Sequence, residues 1–152
     1  MIRHQVFWYG ARMSHDRAPI GLQLVRTARV VSAAFERAMA EAGGSASTWQ
    51  VLLLVRSQQW GNQAEMARAM GITGATLTHH LNALERRGLV RRWREEGNRR
   101  VQLAELTDEG AALFERLREV ALAHDDRLRS QLSAADVEQL AGLLEKLRAG
   151  LE

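Results

Sequence analysis

The sequence predicts a mainly α-helical chain interrupted once by a small β-hairpin, an α+β fold. Three observations predict it. Apolar residues recur at three- and four-residue intervals in separate runs from Pro19 onward. Ser, Thr or Asn stands at the start of most of these runs, and glycine closes several of them. One window, Leu89 to Leu106, drops the helical period and holds two short extended runs around the turn-rich tetrad Glu95-Glu96-Gly97-Asn98.

The first helix opens at Pro19, where a missing N–H costs nothing in the first turn. Leu24, Val25, Ala28, Val31, Phe35, Ala38 and Met39 give it an apolar stripe, and Gly43-Gly44 stops it. Ser47 is the expected cap of a second helix, with Gln50 as its capping-box partner and Trp49, Leu52 and Leu53 as its buried face. Gln58 to Gly61 is a short polar break. A third helix starts at Asn62, with Glu65 as capping partner, and runs through Met66, Ala67 and Met70 to a stop at Gly71. Ile72 and Thr73 make a tight turn, and Thr73 caps a fourth helix from Gly74 to the neighbourhood of Arg87, ended by Gly88. After the hairpin, Thr107 caps a long fifth helix carrying Leu113, Leu117, Val120, Ala121 and Leu128. Ser133, with Asp136, caps a sixth that carries Val137, Leu140, Leu144, Leu147 and Leu151.

A length of 152 residues suits one domain, or a small domain with helical extensions, and 46% hydrophobic with 26% charged residues is globular rather than disordered composition. The absence of cysteine excludes disulfides, thiol redox chemistry and Cys-containing zinc sites. No apolar stretch approaches the ~20 residues that span a membrane. The first ten residues hold Phe7, Trp8 and Tyr9 but no signal-peptide core, so a soluble cytoplasmic protein is expected. Charge is uneven. Seven arginines (86, 87, 91, 92, 94, 99 and 100) face only Glu95 and Glu96 between Arg86 and Arg100, a window of +5 in a chain of +3. Such a basic segment on a slightly acidic body fits a polyanion-binding site, although an arginine-rich solvated surface has the same signature.

A short helix, a tight turn through Gly71, a second helix and then a hairpin is the order of a winged helix-turn-helix. At about 100° per residue, Leu77, His80, Leu81 and Leu84 share one side of the fourth helix. Ala75, His79, Asn82 and Arg86 fall on the other, flanked by Thr76 and Thr78. Small residues at the start of that stripe, with Thr73 just before it, would let the helix approach a major-groove floor. Asn82 can pair bidentately with adenine, and threonine methyls can meet thymine. A solvated bundle face would ordinarily carry Lys and Glu, which this stripe lacks. The hairpin adds Arg99 and Arg100 at its tip, suited to a narrow minor groove, and Arg91, Arg92 and Arg94 on its first strand, suited to phosphates. Trp93 on that strand is expected to pack rather than touch DNA.

In register, several fragments resemble the MarR family of transcription regulators: Asn62-Gln63-Ala64-Glu65-Met66-Ala67, Gly71-Ile72-Thr73, Leu77-Thr78-His79-His80-Leu81, Leu84-Glu85-Arg86-Arg87-Gly88-Leu89-Val90, Arg99-Arg100, and Leu106-Thr107-Asp108-Glu109-Gly110. The resemblance runs from about Ile20 onward. It implies N- and C-terminal dimerisation helices (19–44 and 107–152) around a winged helix-turn-helix DNA-binding domain (45–106), with 1–18 as an extra arm. It also implies a homodimeric repressor of double-stranded DNA on an inverted-repeat operator, with recognition helices in successive major grooves. A small aromatic effector would bind between the dimerisation and DNA-binding parts, for which Trp49, Phe35 and Tyr9 are the candidates. Three departures stand out. Asn98 replaces the aspartate usual before the wing arginine pair, His80 replaces an apolar residue, and the arm to Arg17 has no counterpart, with Met13 an alternative start.

Other chemistry finds little support. His79 and His80 diverge by ~100° on a helix and cannot chelate one ion as a pair; His79 is read as a DNA contact and His80 as a packed, hydrogen-bonded residue. His124-Asp125-Asp126 lacks a second histidine at helical spacing and is read as solvated surface. No phosphate-binding glycine loop, zinc-protease motif or nucleophile elbow is present, so neither catalysis nor a cofactor is expected. The remaining alternatives are a metal-responsive winged-helix repressor and a helical module binding an acidic partner.

Overall fold

The structure, a computed structural model, describes residues 18–57, 63–95 and 98–151, with side chains throughout these except at 94–95 and 98–103. The elements follow the expected order: α1 (Ile20–Glu41), α2 (Ala46–Ser57), α3 (Gln63–Met70), α4 (Gly74–Arg86), β1 (Val90–Glu95), β2 (Asn98–Leu106), α5 (Asp108–Arg129) and α6 (Ala134–Ala149). The chain divides into two units after Ala34. The described part of the first is the N-terminal stretch of α1, whose opening turn is braced by the Gln23 side-chain amide donating to the Ala18 carbonyl at 2.9 Å. Its Ile20, Leu22, Val25 and Val30 are exposed.

The second unit holds the core. Met39 from α1, Val51, Leu52 and Val55 from α2, Met66 and Ala67 from α3, and Leu77, Leu81 and Leu84 from α4 are buried together. Leu89, Val90 and, from α5, Leu113, Phe114 and Leu117 complete it. The i, i+4, i+7 spacing of the α4 leucines puts them on one stripe, which fixes the opposite stripe outward. Full burial of a leucine is worth roughly 1.5–3 kcal/mol, so the three together set the rotation of α4 about its axis firmly.

Two glycines bracket α4's approach and exit. At Gly71 (φ 66°) the Ile72 N–H reaches the Ala67 carbonyl at 3.0 Å and the Gly71 N–H reaches Arg68 at 3.0 Å. At Gly88 (φ 68°) the same pair of bonds joins Leu89 to Leu84 and Gly88 to Glu85, each at 2.9 Å. These are Schellman stops, and the left-handed conformation they require favours glycine. Thr73 is the N-cap of α4, its hydroxyl accepting from the Thr76 N–H at 3.2 Å.

The strands β1 and β2 pair antiparallel, Val90 opposite Leu106, Arg92 opposite Ala104 and Trp93 opposite Leu103, with a register shift between Arg94 and Glu95. Thr107 ties the hairpin's base to α5. Its N–H donates to Leu89 O at 3.2 Å, its hydroxyl donates to Gly88 O at 2.6 Å, and the same hydroxyl caps α5 by accepting from Gly110 N–H at 3.0 Å. Gly110 lies so close to the Leu89 carbonyl that a Cβ would sit 1.9 Å from its oxygen. Ser133 and Asp136 form the expected capping box on α6. Asp136 is held below its ordinary pKa by the hydrogen bonds it accepts from the Ser133 side chain and backbone.

Several expectations are corrected. The cap of α2 is Ser45, not Ser47: Ser45 Oγ accepts from Thr48 N–H at 3.0 Å. Glu36 reaches across to take the Ala46 N–H at 2.9 Å, so first-turn donors are satisfied without the box that Ser47 and Gln50 would have formed. The buried face of α2 is Val51, Leu52 and Val55, and Leu53 is 43% exposed. Trp93 is 40% exposed rather than packed. His124 is not solvated surface: its ring centroid lies 5.1 Å from that of Phe35. Asn62, the polar break and the hairpin turn at Glu96-Gly97 lie outside the described residues, as do Trp8, Tyr9 and the rest of the arm.

Candidate nucleic-acid interface

The interface starts from α4. With Leu77, Leu81 and Leu84 buried, Thr73, Ala75, Thr76, Thr78, His79, Asn82 and Arg86 are all exposed, so the stripe read from the sequence is one continuous outward face. Its N-terminal end carries only small side chains. The Thr73 and Thr76 hydroxyls lie 2.9 Å apart and share a proton-donating contact, which pins the first turn. Among the described residues this face carries His79 and Arg86 as its potential cations and no carboxylate before Glu85. His80, on the inner flank, is half-buried, its ring edge-on to His79 at 6.1 Å. The hydrogen bond expected of it is not found among the described residues.

The wing strand β1 carries three arginines, and the two with described side chains differ. Arg91 is 74% exposed and ion-paired with Glu105 on β2, its Nε donating at 2.8 Å. An exposed pair of this kind is worth little, so phosphate can displace the carboxylate. Arg92 is only 10% exposed. Its Nε donates to Glu85 Oε2 at 3.0 Å, and its Nη2 reaches both Glu85 and the Asn82 Oδ1, the latter at 2.5 Å. Glu85 is held below the ordinary carboxylate pKa, first by the hydrogen bond from Arg92. Arg94 continues the strand, and Arg99 and Arg100 stand near the start of β2, where the fold puts the wing tip; their side chains lie outside the described residues. Arg87, at the end of α4, donates to the Gly43 carbonyl at 3.2 Å and so braces the helix rather than facing outward alone.

The two described effector candidates both lie against α5, but apart. Trp49 stacks on Phe114 with centroids 5.2 Å apart, and Phe35 packs on His124. Phe114 and His124 are separated by ~15 Å along the helix at 1.5 Å per residue, so the aromatics form two stations rather than one cage. The His124 Nε2 is shielded from solvent and has no hydrogen-bond partner among the described residues. Sequence reading missed both this nitrogen and the Arg92 clamp. Each depends on residues seven or more positions apart on different elements, and no local spacing signals such contacts.

Comparison with known proteins agrees with the geometry. Residues 45–101 match the MarR family model. The HTH-type transcriptional repressor Rv2887 of Mycobacterium tuberculosis is 30% identical over 132 residues, covering 87% of this chain and 95% of that protein. Among solved structures, the transcriptional repressor CouR bound to a 23-mer DNA duplex superposes with a TM-score of 0.76 at 31% identity, covering 86% of this chain and 92% of that one. CouR from Rhodococcus jostii RHA1 bound to p-coumaroyl-CoA gives 0.72 at 29% identity, covering 84% and 90%. With a winged helix-turn-helix in register and a repressor relative matched over nearly its whole length, the chain belongs to the MarR family of transcriptional regulators.

Proposed function

We propose that this protein is a cytoplasmic, sequence-specific repressor that grips double-stranded DNA as a homodimer, with one α4 in each of two successive major grooves. The observation that carries this reading is the outward stripe of α4, small at its start and hydrogen-bonding beyond, with an arginine-bearing strand beside it. Thr73, Ala75, Thr76, Thr78, His79, Asn82 and Arg86 meet the groove; Arg91 and Arg94 take phosphates, and Arg99 and Arg100 enter the minor groove. The relative CouR has been captured on a DNA duplex, which supports the reading.

Dimerisation is supported by α6, none of whose described residues is buried. Its Leu140, Leu143, Leu144 and Leu147 are each 40–48% exposed. An open groove of about 230 Å³ lies between α6 and the end of α5, lined by Leu128, Leu132, Val137, Leu140 and Leu144. Exposed leucine in this density belongs at a subunit contact. A small aromatic effector that releases the DNA is supported by the shielded, unpartnered His124 Nε2 beside Phe35, which would welcome a ring with a hydrogen-bonding group. The ligand-bound CouR structure lends further support. The reading assigns the protein no catalysis, metal or membrane role.

The test is selection from a randomised duplex library followed by footprinting. An imperfect inverted repeat with half-sites about one helical turn apart, ~34 Å, is expected. A protein that enriches no sequence would remove the reading.

A further inference from the structure

Arg92 is not free to act as a phosphate contact. Among the described ion-paired arginines it is the least exposed at 10%, while Arg91 next to it is 74% exposed. Its guanidinium bridges two residues three apart on α4, Glu85 through Nε at 3.0 Å and Asn82 Oδ1 through Nη2 at 2.5 Å. A guanidinium has donors only, so the Asn82 amide must offer it the oxygen, and the NH₂ group is turned away from the clamp. Bidentate pairing with adenine needs that same oxygen to accept from N6–H₂ while the nitrogen donates to N7. Here the oxygen already accepts from a cation, whose charge also repels an approaching amino group. Guanine, by contrast, presents only acceptors, N7 and O6, on its major-groove edge.

We propose that Arg92 is a specificity-determining residue: by holding the Asn82 carbonyl, it makes Asn82 a donor that selects guanine over adenine. This rests on the reading that α4 enters the major groove. Glu85 anchors the clamp, since its carboxylate fixes the guanidinium in the plane from which Nη2 reaches Asn82. Arg92 acts through Asn82 and touches no base itself.

The experiment compares library selections by the wild type, Asn82→Ala, Arg92→Met and Arg92→Lys, each checked for folding by thermal melting. At one position per half-site the wild type should favour guanine over adenine by at least about 5-fold, the discrimination expected of a good base contact. Asn82→Ala should lose that preference at that position alone. Arg92→Met, which frees the oxygen, should shift it toward adenine, and Arg92→Lys, which keeps a donor, should hold it near wild type. If Asn82→Ala relaxes one position while Arg92→Met leaves the preference there unchanged, the clamp has no part in readout and the inference fails, though the DNA-binding reading stands. If Asn82→Ala changes no position, Asn82 reads no base and the inference fails with it. If the wild type enriches no sequence, both readings fall together. Should Arg92→Met not fold, the wild type decides: adenine at the Asn82-dependent position overturns the inference, and guanine supports it.

Discussion

The helices α4 and α6 both present one side to solvent, and they do so in opposite ways. α4 buries three leucines and exposes threonine, histidine, asparagine and arginine. α6 buries nothing and exposes four leucines. A polar stripe on a helix whose other side is anchored is a finished surface, stable in water as it stands. A leucine stripe in water is half of an interface and demands a covering of like chemistry. The difference teaches that one helix is completed by the fold itself, whereas the other keeps an uncovered apolar side, which the proposed dimer would cover.

The sharpest way to break that contrast is to charge the leucine stripe. Leu140→Glu combined with Leu144→Glu should leave the monomer folded, turn the dimer into monomer in sedimentation at micromolar concentration, and lower operator affinity on the order of 100-fold or more, because two tethered half-site contacts become one. A dimer that survives both charges would show that α6 is solvated surface after all.

The next largest effect lies where the two regions join. Gly110→Ala puts a Cβ 1.9 Å from the Leu89 carbonyl oxygen, which is backbone and cannot yield locally. A loss of about 2–3 kcal/mol in urea unfolding is expected from such overpacking. Thr107→Ala, which removes a cap and a bond to Gly88 while adding no clash, should cost about 1–2 kcal/mol in the same measurement. Equal losses for the two would mean that the glycine is not there for space.

On the α4 side, Thr78→Ala should relax base preference at one position by about 1–3 kcal/mol in competition binding. Arg99→Ala or Arg100→Ala should instead weaken operator binding and reduce the salt slope by roughly one unit. The smallest effect is with pH. Glu85 is held below its ordinary value, so the clamp on Arg92 is complete above the usual carboxylate range and is lost only as pH falls through that lowered value. Base selectivity at the Asn82 position should therefore be flat from neutrality down to mildly acidic conditions, and Glu85→Gln should erode it at every pH.

Much of this was legible in the sequence because it is local. Thr73, Thr107 and Ser133 cap their helices as their spacing implied, and Gly71 and Gly88 end theirs, since caps and stops depend on residues three to five apart. The outward stripe of α4 followed from the leucine spacing alone. The cap of α2 was misplaced because Ser45 and Ser47 are both competent, and the choice is made by Glu36, ten residues before Ala46. The fragment Leu106 to Gly110 was visible as a motif, but the reason for its glycine, the carbonyl of Leu89, comes from the residue before β1, brought alongside only when the hairpin pairs. The pairing of Arg92 with Asn82 and the packing of His124 on Phe35 likewise exist only once the chain has folded.

The central claim, that the α4 stripe and the wing arginines form a duplex-binding surface, is tested most directly by the salt dependence of binding to the selected operator. Fluorescence anisotropy across a series of salt concentrations should give a log–log slope on the order of −5 or steeper for the wild type, as several phosphate contacts per dimer require. It should also give affinity well above that for a scrambled duplex of equal length. A slope near zero, or equal affinity for operator and scrambled duplex, would contradict the account.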